Sequence, residues 1–241
     1  MPKGRLRRHA KPTLRVLATI VLCLMLGTCS PHLSLLVQVQ REGVLRVVTR
    51  NAPTTYYIGP EGPVGPEYDL ARGFADYLGV ELEIYTLDAV SQLLPEVEEG
   101  RAHIAAAALT VTALRQASLE FGPEYRRVTH QLVYREGSPA PQALEHTYGR
   151  RIEVVAGSSF VDTLEHLRHT SPGLTWLENP ALDVQELLGR VSAGEIDYTL
   201  ADSTAVLINR YFHPDIRVAF DVSESRPIAW AFRASRDRSL L

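Results

Sequence analysis

The sequence predicts an α/β protein in which one chain builds two lobes, each a parallel sheet flanked by helices, facing each other across a cleft and joined by a double-crossover hinge. Three observations carry this. Short apolar runs alternate with amphipathic segments from Gly43 onward, and the same β-α-β-α-β order occurs twice. Polar clusters fall just past the ends of apolar runs, as in "IAAAALTVTALRQ" at 104–116. Strands alternating with helices imply right-handed crossovers and a parallel sheet. A chain of 241 residues, 45% of them hydrophobic, can bury two small cores.

The first 29 residues stand apart. Six basic residues (Lys3, Arg5, Arg7, Arg8, Lys11 and Arg15) precede the apolar stretch Val16 to Leu26, and no acid lies among them. This is the pattern of an export signal or N-terminal anchor. The apolar core is shorter than the roughly 20 residues a membrane-spanning helix needs, which favours cleavage. Cys23 lies inside that core, so at most Cys29 survives processing and no internal disulfide forms in the mature chain. Residues 30–42 are expected to be a linker.

Lobe one is expected to comprise 43–134 and 220–241, and lobe two 135–219. In lobe one, Val44–Thr49 is a strand, followed by a loop rich in Pro, Gly and Tyr up to Pro66. Tyr68–Leu78 has apolar residues at helical spacing and stops at Gly79, a helix-ending residue. "VELEIYTL" alternates as a half-buried strand, "VSQLLPEVEEGR" is a short helix with an internal Pro, and Ile104 to Leu109 is a strand covered on both faces. In lobe two, "RRIEVVAGSSF" is a strand running into a Gly-Ser-Ser turn, followed by the helix "VDTLEHLRH", the strand "LTWLE", the helix "VQELLGRVSAGE" and the strand "IDYTLADS". The chain crosses between lobes near Val133 to Gly137 and again near Ala219 to Asp221. Two crossings make a hinge.

Ligands of open α/β sheets bind beyond the carboxyl ends of the strands. That rule selects Thr110, Thr112 and Arg115 from lobe one, and Gly157, Ser158, Ser159 and Asp202 from lobe two. A guanidinium offers a fork suited to a carboxylate, and a Gly-Ser-Ser turn at a helix N-terminus presents backbone N–H groups to an anion. Asp202 suits an ammonium group. Together they describe a receiver for an amino acid or the zwitterionic end of a peptide. Tyr56 and Tyr57 could form a wall on which a ligand stacks, or could only pack their own loop. Each polar residue also has an ordinary reading: Arg115 as a solvated helix residue, and Ser158, Ser159 and Asp202 as helix caps.

Several chemistries are disfavoured. Removing residues 1–29 takes away six of the 25 Lys and Arg and none of the 28 Asp and Glu, so the formal charge falls from −3 to −9. An acidic chain argues against a nucleic-acid partner. Both lysines lie in the removed segment, which excludes Schiff-base catalysis in the remainder. His103, His130 and His146 form no spaced pair for a metal, so neither metal nor cofactor is expected. Gly157-x-Ser159 lacks the second glycine of a hydrolase elbow. Glu67 with Asp69, or Glu96 with Glu98 and Glu99, could be imagined as a glycosidase pair, but such runs of acids are ordinarily solvated, and nothing sets two of them across a sugar.

"GVLRVVTR", "EYDLARGFADYLGVELE", "LTVTALRQASLEFGPEY", "VVAGSSF" and "GEIDYTLADS" resemble the landmarks of periplasmic solute-binding proteins of amino-acid importers. The resemblance implies a type II periplasmic-binding-protein-like fold, with Arg115 on the ligand's α-carboxylate, Ser158 and Ser159 assisting, and Asp202 on its α-amino group. "PTTYYIGPEGPVGPEYDLARGFADYLGV", "GPEYRRVTHQLVYREGSP" and "HPDIRVAFDVSESRPIAW" resemble more narrowly the first module of the membrane-bound lytic murein transglycosylase F family, over almost everything from Gly43 to Leu241. That resemblance implies an exported, periplasmic module, with association to the outer membrane left open. It would sense an amino acid or muropeptide and touch peptidoglycan through a lysozyme-like domain beyond this sequence. The family's catalytic Glu lies in that domain, so no catalytic residue is assigned, and "SRDRSLL" is expected to begin a last, shortened helix of lobe one. Leu26-Gly27-Thr28-Cys29 resembles a lipobox, with Thr where Gly, Ala or Ser is usual. A free importer protein and a cyclohexadienyl dehydratase-like enzyme remain the alternatives on the same scaffold.

Overall fold

The computed structural model describes residues 33–241, so the segment expected to be an export signal or anchor and both cysteines lie outside the described residues. The elements run α1 (Leu35–Glu42), β1 (Val44–Thr49), β2 (Tyr57–Gly59), β3 (Gly62–Val64), α2 (Pro66–Leu78), β4 (Glu81–Thr86), α3 (Val90–Glu98), β5 (Ile104–Ala105), α4 (Ala113–Gln116), β6 (Leu119–Phe121), β7 (Arg126–Val128) and β8 (His130–Arg135). A 3-10 turn at Leu144–Thr147 leads to β9 (Ile152–Val155), α5 (Ser159–Arg168), β10 (Leu177–Asn179), α6 (Val184–Ala193), β11 (Tyr198–Asp202), α7 (Ser203–Asn209), β12 (Ile216–Asp221), β13 (Arg226–Ile228) and β14 (Ala231–Arg233).

Two five-stranded sheets form the lobes, in the orders β4-β1-β5-β14-β6 and β10-β9-β11-β8-β12. Neither is purely parallel, which corrects the sequence expectation. β4, β1 and β5 run parallel, but β14 pairs antiparallel with both β5 and β6. In the second sheet β10, β9 and β11 are parallel, while β8 is antiparallel to β11 and β12. The antiparallel strands, β8 and β14, are the first that the chain enters after each crossing between lobes.

The crossings therefore lie elsewhere than expected. Val133 and Ala219 sit on β8 and β12, whose side chains Leu132, Val133 and Ile216 are buried in the second core. The linking segments are β7 and β13, which pair antiparallel from Arg126 opposite Ile228 to Val128 opposite Arg226. Alternating apolar residues at 130–135 and 216–221 pair and bury as strands, and only the short flanking segments are left to bend.

Four further expectations change. Residues 35–42 are a helix, not linker, because Leu35, Leu36 and Val39 form an apolar stripe that packs on the first core beside Leu45 and Ala75. The strand at 104–109 ends at Ala105, and Ala108 takes a positive φ of 51°, which ends the ladder before the polar residues. The strand after α5 is Leu177–Asn179, not "LTWLE", since Leu174 turns into the core. Residues 236–241 form no helix; Leu240 is buried in the first core, and the Asp237 carboxylate accepts from the Leu35 N–H.

One buried side chain ties this lobe together. Glu67, 1% exposed in the first turn of α2, accepts from the Ala108 N–H at 2.8 Å and from the Tyr125 hydroxyl on one oxygen, and from the Trp230 indole N–H at 2.8 Å on the other. Gly65 allows this entry to α2, because its φ is 126° and a Cβ there would stand 2.4 Å from the Thr55 carbonyl oxygen. Burial, then the charge of Glu67, pushes the Tyr125 phenol well above its ordinary pKa, so it stays a donor. Glu67→Ala strands three donors; at roughly 1–3 kcal/mol per buried unsatisfied group, urea denaturation should show a loss of about 3 kcal/mol or more, and Tyr125→Phe about 1–2 kcal/mol. A loss under about 1 kcal/mol for Glu67→Ala would show that these contacts do not hold the lobe.

Candidate functional site

β1 and β5 are neighbours in the first sheet, and β9 and β11 in the second, so four carboxyl ends converge where the lobes meet. Residues just past those ends line one small cavity of about 50 Å³: Arg50 after β1, Ala107 to Thr110 and Arg115 after β5, Ser158 and Ser159 after β9, and Asp202 at the end of β11. Of the residues selected from sequence, Arg115, Asp202, Ser158, Ser159 and Thr110 line this cavity. Thr112 and Tyr56 do not. The Thr112 hydroxyl accepts from the Arg115 N–H at 3.3 Å and so caps α4, and the Tyr56 ring packs edge-on to Tyr68 with centroids 6.0 Å apart.

Arg115 is 7% exposed, so it is not a solvated helix residue. Its Nη1 donates to the Thr110 carbonyl at 3.0 Å, and its Nη2 reaches across the cleft toward the Gly157 carbonyl at 3.5 Å. Burial, opposed by Asp162 and reinforced by the nearby charge of Arg50, lowers its proton affinity, yet a guanidinium stays charged. Two backbone carbonyls leave most of its five donors for an anion. The lobes approach closely here: Val90 at the start of α3 is buried with the second lobe's core, and a Cβ on Gly157, whose φ is 68°, would lie 3.2 Å from that of Ser91.

In the Gly-Ser-Ser turn neither serine side chain caps the helix. The Ser158 hydroxyl donates to the Val155 carbonyl at 2.6 Å instead of capping α5. The Thr163 hydroxyl donates to the Ser159 carbonyl at 3.1 Å, so it accepts from His130 Nδ1–H at 2.8 Å, and Ser159 Oγ–H then donates to Nε2 at 3.3 Å. Both hydroxyl protons point into the lobe. What this turn offers an anion is the backbone N–H groups of the first turn of α5. Asp202 caps α7, with Oδ1 accepting from Thr204 and Ala205 N–H at 3.0 and 2.9 Å. The capping reading is correct for that oxygen, and the carboxylate's charge still faces the cavity.

Arg50 is the lining residue that sequence reasoning missed. It follows β1 directly, so the rule that selected Arg115 applies equally to it. Among the described residues, no group of three or more His, Cys, Asp or Glu could hold a metal.

His130 lies behind the site with no exposed surface, and burial, then Arg226 and Arg115, lowers its pKa to about 3. His103, whose Nδ1 accepts from the Arg46 N–H at 3.0 Å, is lowered to about 4 by burial and then Arg46. Both are depressed below the unfolded value of about 6.5, so the unfolded chain takes up their protons first as pH falls. Their stabilisation is full above about pH 6.5 and drains away below it, each group approaching about 1.4 kcal/mol per pH unit. Denaturation at pH 7, 6 and 5 should show this decline, with His130→Gln reducing it by about half. An unchanged slope in that variant would mean that His130 does not carry the effect.

A sequence profile of the bacterial extracellular solute-binding proteins, family 3, matches residues 45–213. Membrane-bound lytic murein transglycosylase F of Saccharophagus degradans is 42% identical over 203 residues, which cover 84% of this chain and 40% of that protein. The chain thus spans less than half the length of that curated relative. Among solved structures, the arginine-bound, truncated arginine-binding protein of T. maritima matches with a TM-score of 0.73 at 22% identity, covering 84% of this chain and 93% of that one. The cysteine-binding protein of Campylobacter jejuni matches with a TM-score of 0.75 at 19% identity, covering 86% and 83%. At those identities the structures establish the periplasmic-binding-protein-like fold alone. By the profile, which matches most of its length, the chain belongs to the bacterial extracellular solute-binding proteins, family 3.

Proposed function

We propose that this chain is the ligand-binding module of a lytic murein transglycosylase F-like protein of the cell envelope, and that its lobes close over an amino acid or muropeptide whose carboxylate rests on Arg115. The observation that carries the reading is the Arg115 guanidinium, buried at the meeting of the lobes with two carbonyl partners and an adjoining cavity. A buried cation with unfilled donors is an anion receiver. The first turn of α5 adds backbone donors, and Asp202 supplies the charge for an ammonium group.

Closure transmits occupancy because a ligand touched by both lobes stabilises only the state in which they meet. In the reading adopted here, the attached remainder of a longer protein senses that state and acts on peptidoglycan. The identity with the transglycosylase relative supports this context over a free importer protein. Export to the periplasm follows from the basic and apolar pattern of residues 1–29. Among the described residues no helix is long and apolar enough to cross a membrane.

A thermal-shift screen of free amino acids and cell-wall peptides tests the reading. Arg115→Ala should abolish every ligand-induced rise in Tm. Asp202→Asn, which keeps the capping oxygen, should weaken ligands bearing an ammonium group by about tenfold. Undiminished stabilisation in both variants would remove the clamp.

A further inference from the structure

Arg50 stands in the same cavity as Arg115, on the neighbouring strand end, and the carboxylate recognition proposed above makes no use of it. Among the described residues, no carboxylate lies within ion-pair distance of its guanidinium and no side-chain hydrogen bond engages it. The acids that act on it through space are Asp183 and Asp202, and both are committed locally. Asp183 Oδ1 accepts from the Glu186 N–H at 2.9 Å and closes a reciprocal cap, while Asp202 Oδ1 holds the first N–H groups of α7. Burial lowers the proton affinity of Arg50 more than these acids raise it, and the half-buried side chain keeps part of its surface open, so it is a cation with no ion-pair partner of its own.

The formal charges lining the cavity are Arg50, Arg115 and Asp202, a net of one positive. A zwitterionic amino acid adds no net charge and leaves the buried Arg115 and half-buried Arg50 guanidiniums sharing one carboxylate. A ligand with two carboxylates and one ammonium group balances the site, with each guanidinium taking its own carboxylate and Asp202 taking the ammonium. Both cations also weaken each other's charged state, which a second anion relieves. Arg50 further lines an adjoining cavity with Asp88, Asp183 and Glu186, whose carboxylates would repel an anion, so the second carboxylate would sit on the Arg115 side of Arg50.

We propose that Arg50 is a second carboxylate-binding residue and that it makes this cleft select ligands with two carboxylates, namely an acidic amino acid or a peptide carrying an acidic residue. This rests on the cleft being a carboxylate receiver centred on Arg115. The competing role for Arg50 is a through-space tether between the lobes, which would help every ligand alike.

Four probes separate the cases: L-glutamate and the dipeptide Ala-Glu, and their amide counterparts L-glutamine and Ala-Gln, titrated by calorimetry into the protein and its Arg50→Gln and Arg115→Ala variants. The expected result is that at least one acid probe binds the wild type about tenfold or more tighter than its amide, and that Arg50→Gln erases this preference by weakening the acid about tenfold more than the amide. Arg115→Ala should remove binding of all probes. Equal binding of acid and amide by the wild type, survival of the preference in Arg50→Gln, or equal weakening of acid and amide by that substitution would each overturn the assignment to Arg50 and leave the carboxylate site standing. Failure of all four probes to bind the wild type would overturn the selection for two carboxylates, and the thermal-shift screen decides separately whether the carboxylate site stands.

Discussion

The first lobe depends on a carboxylate that has no direct contact with any ligand position. Glu67 gathers three donors from parts of the chain far apart in sequence: Ala108 in the cavity wall, Tyr125 just before β7, and Trp230 just after β13. Charge-assisted hydrogen bonds of this kind are stronger than neutral ones, and a buried charge demands that they all be made. One residue thus fixes the wall of the cavity to both strands that link the lobes.

That tie explains how the loop after β5 can hold an unfavourable backbone. Ala108 has a positive φ, a conformation that costs a residue with a Cβ on the order of 1 kcal/mol, and its N–H is the one that Glu67 holds. Beyond it the loop pairs with the second linking strand: the Ala229 N–H donates to the Leu109 carbonyl at 3.2 Å, and the Val111 N–H to the Pro227 carbonyl at 2.9 Å. Thr110 sits between these bonds, and its carbonyl holds Arg115. The guanidinium is therefore positioned by the hinge itself, so a bend at β7 and β13 displaces the strand against which its loop is paired.

Much of this architecture was legible because local chemistry and global fold agree. Pro66 and Gly79 bracket α2, the apolar spacing within α2 matches its buried Ala71 and Ala75, and the strand-end rule reached Arg115, Thr110, Ser158, Ser159 and Asp202. The errors have specific causes. Strand direction is not encoded in apolar alternation, and the antiparallel β8 and β14 fall in stretches that sequence reads only as a crossing and a chain end. Residues 130–134 read as first lobe because pairing with β11 is a long-range event. The serines misled because a hydroxyl's proton goes where its neighbours demand, and the Val155 carbonyl and His130 imidazole that demand it are contributed by the fold.

The placement of His130 bears on what the second lobe can offer a ligand. An imidazole held neutral by burial fixes Ser159 as a donor inward, leaving only lone pairs of that hydroxyl toward the cleft. The same holds for Ser158 through Val155. Hydroxyl lone pairs suit an ammonium group, as does Asp202, whereas an anion finds donors on this side only in the backbone of α5. The lobes are thus divided by sign: side-chain cations Arg50 and Arg115 come from the first, and the side-chain acceptors come from the second. A ligand with its carboxylates and its ammonium group at opposite ends would be complementary only when both lobes meet around it, and this division of charge couples binding to closure.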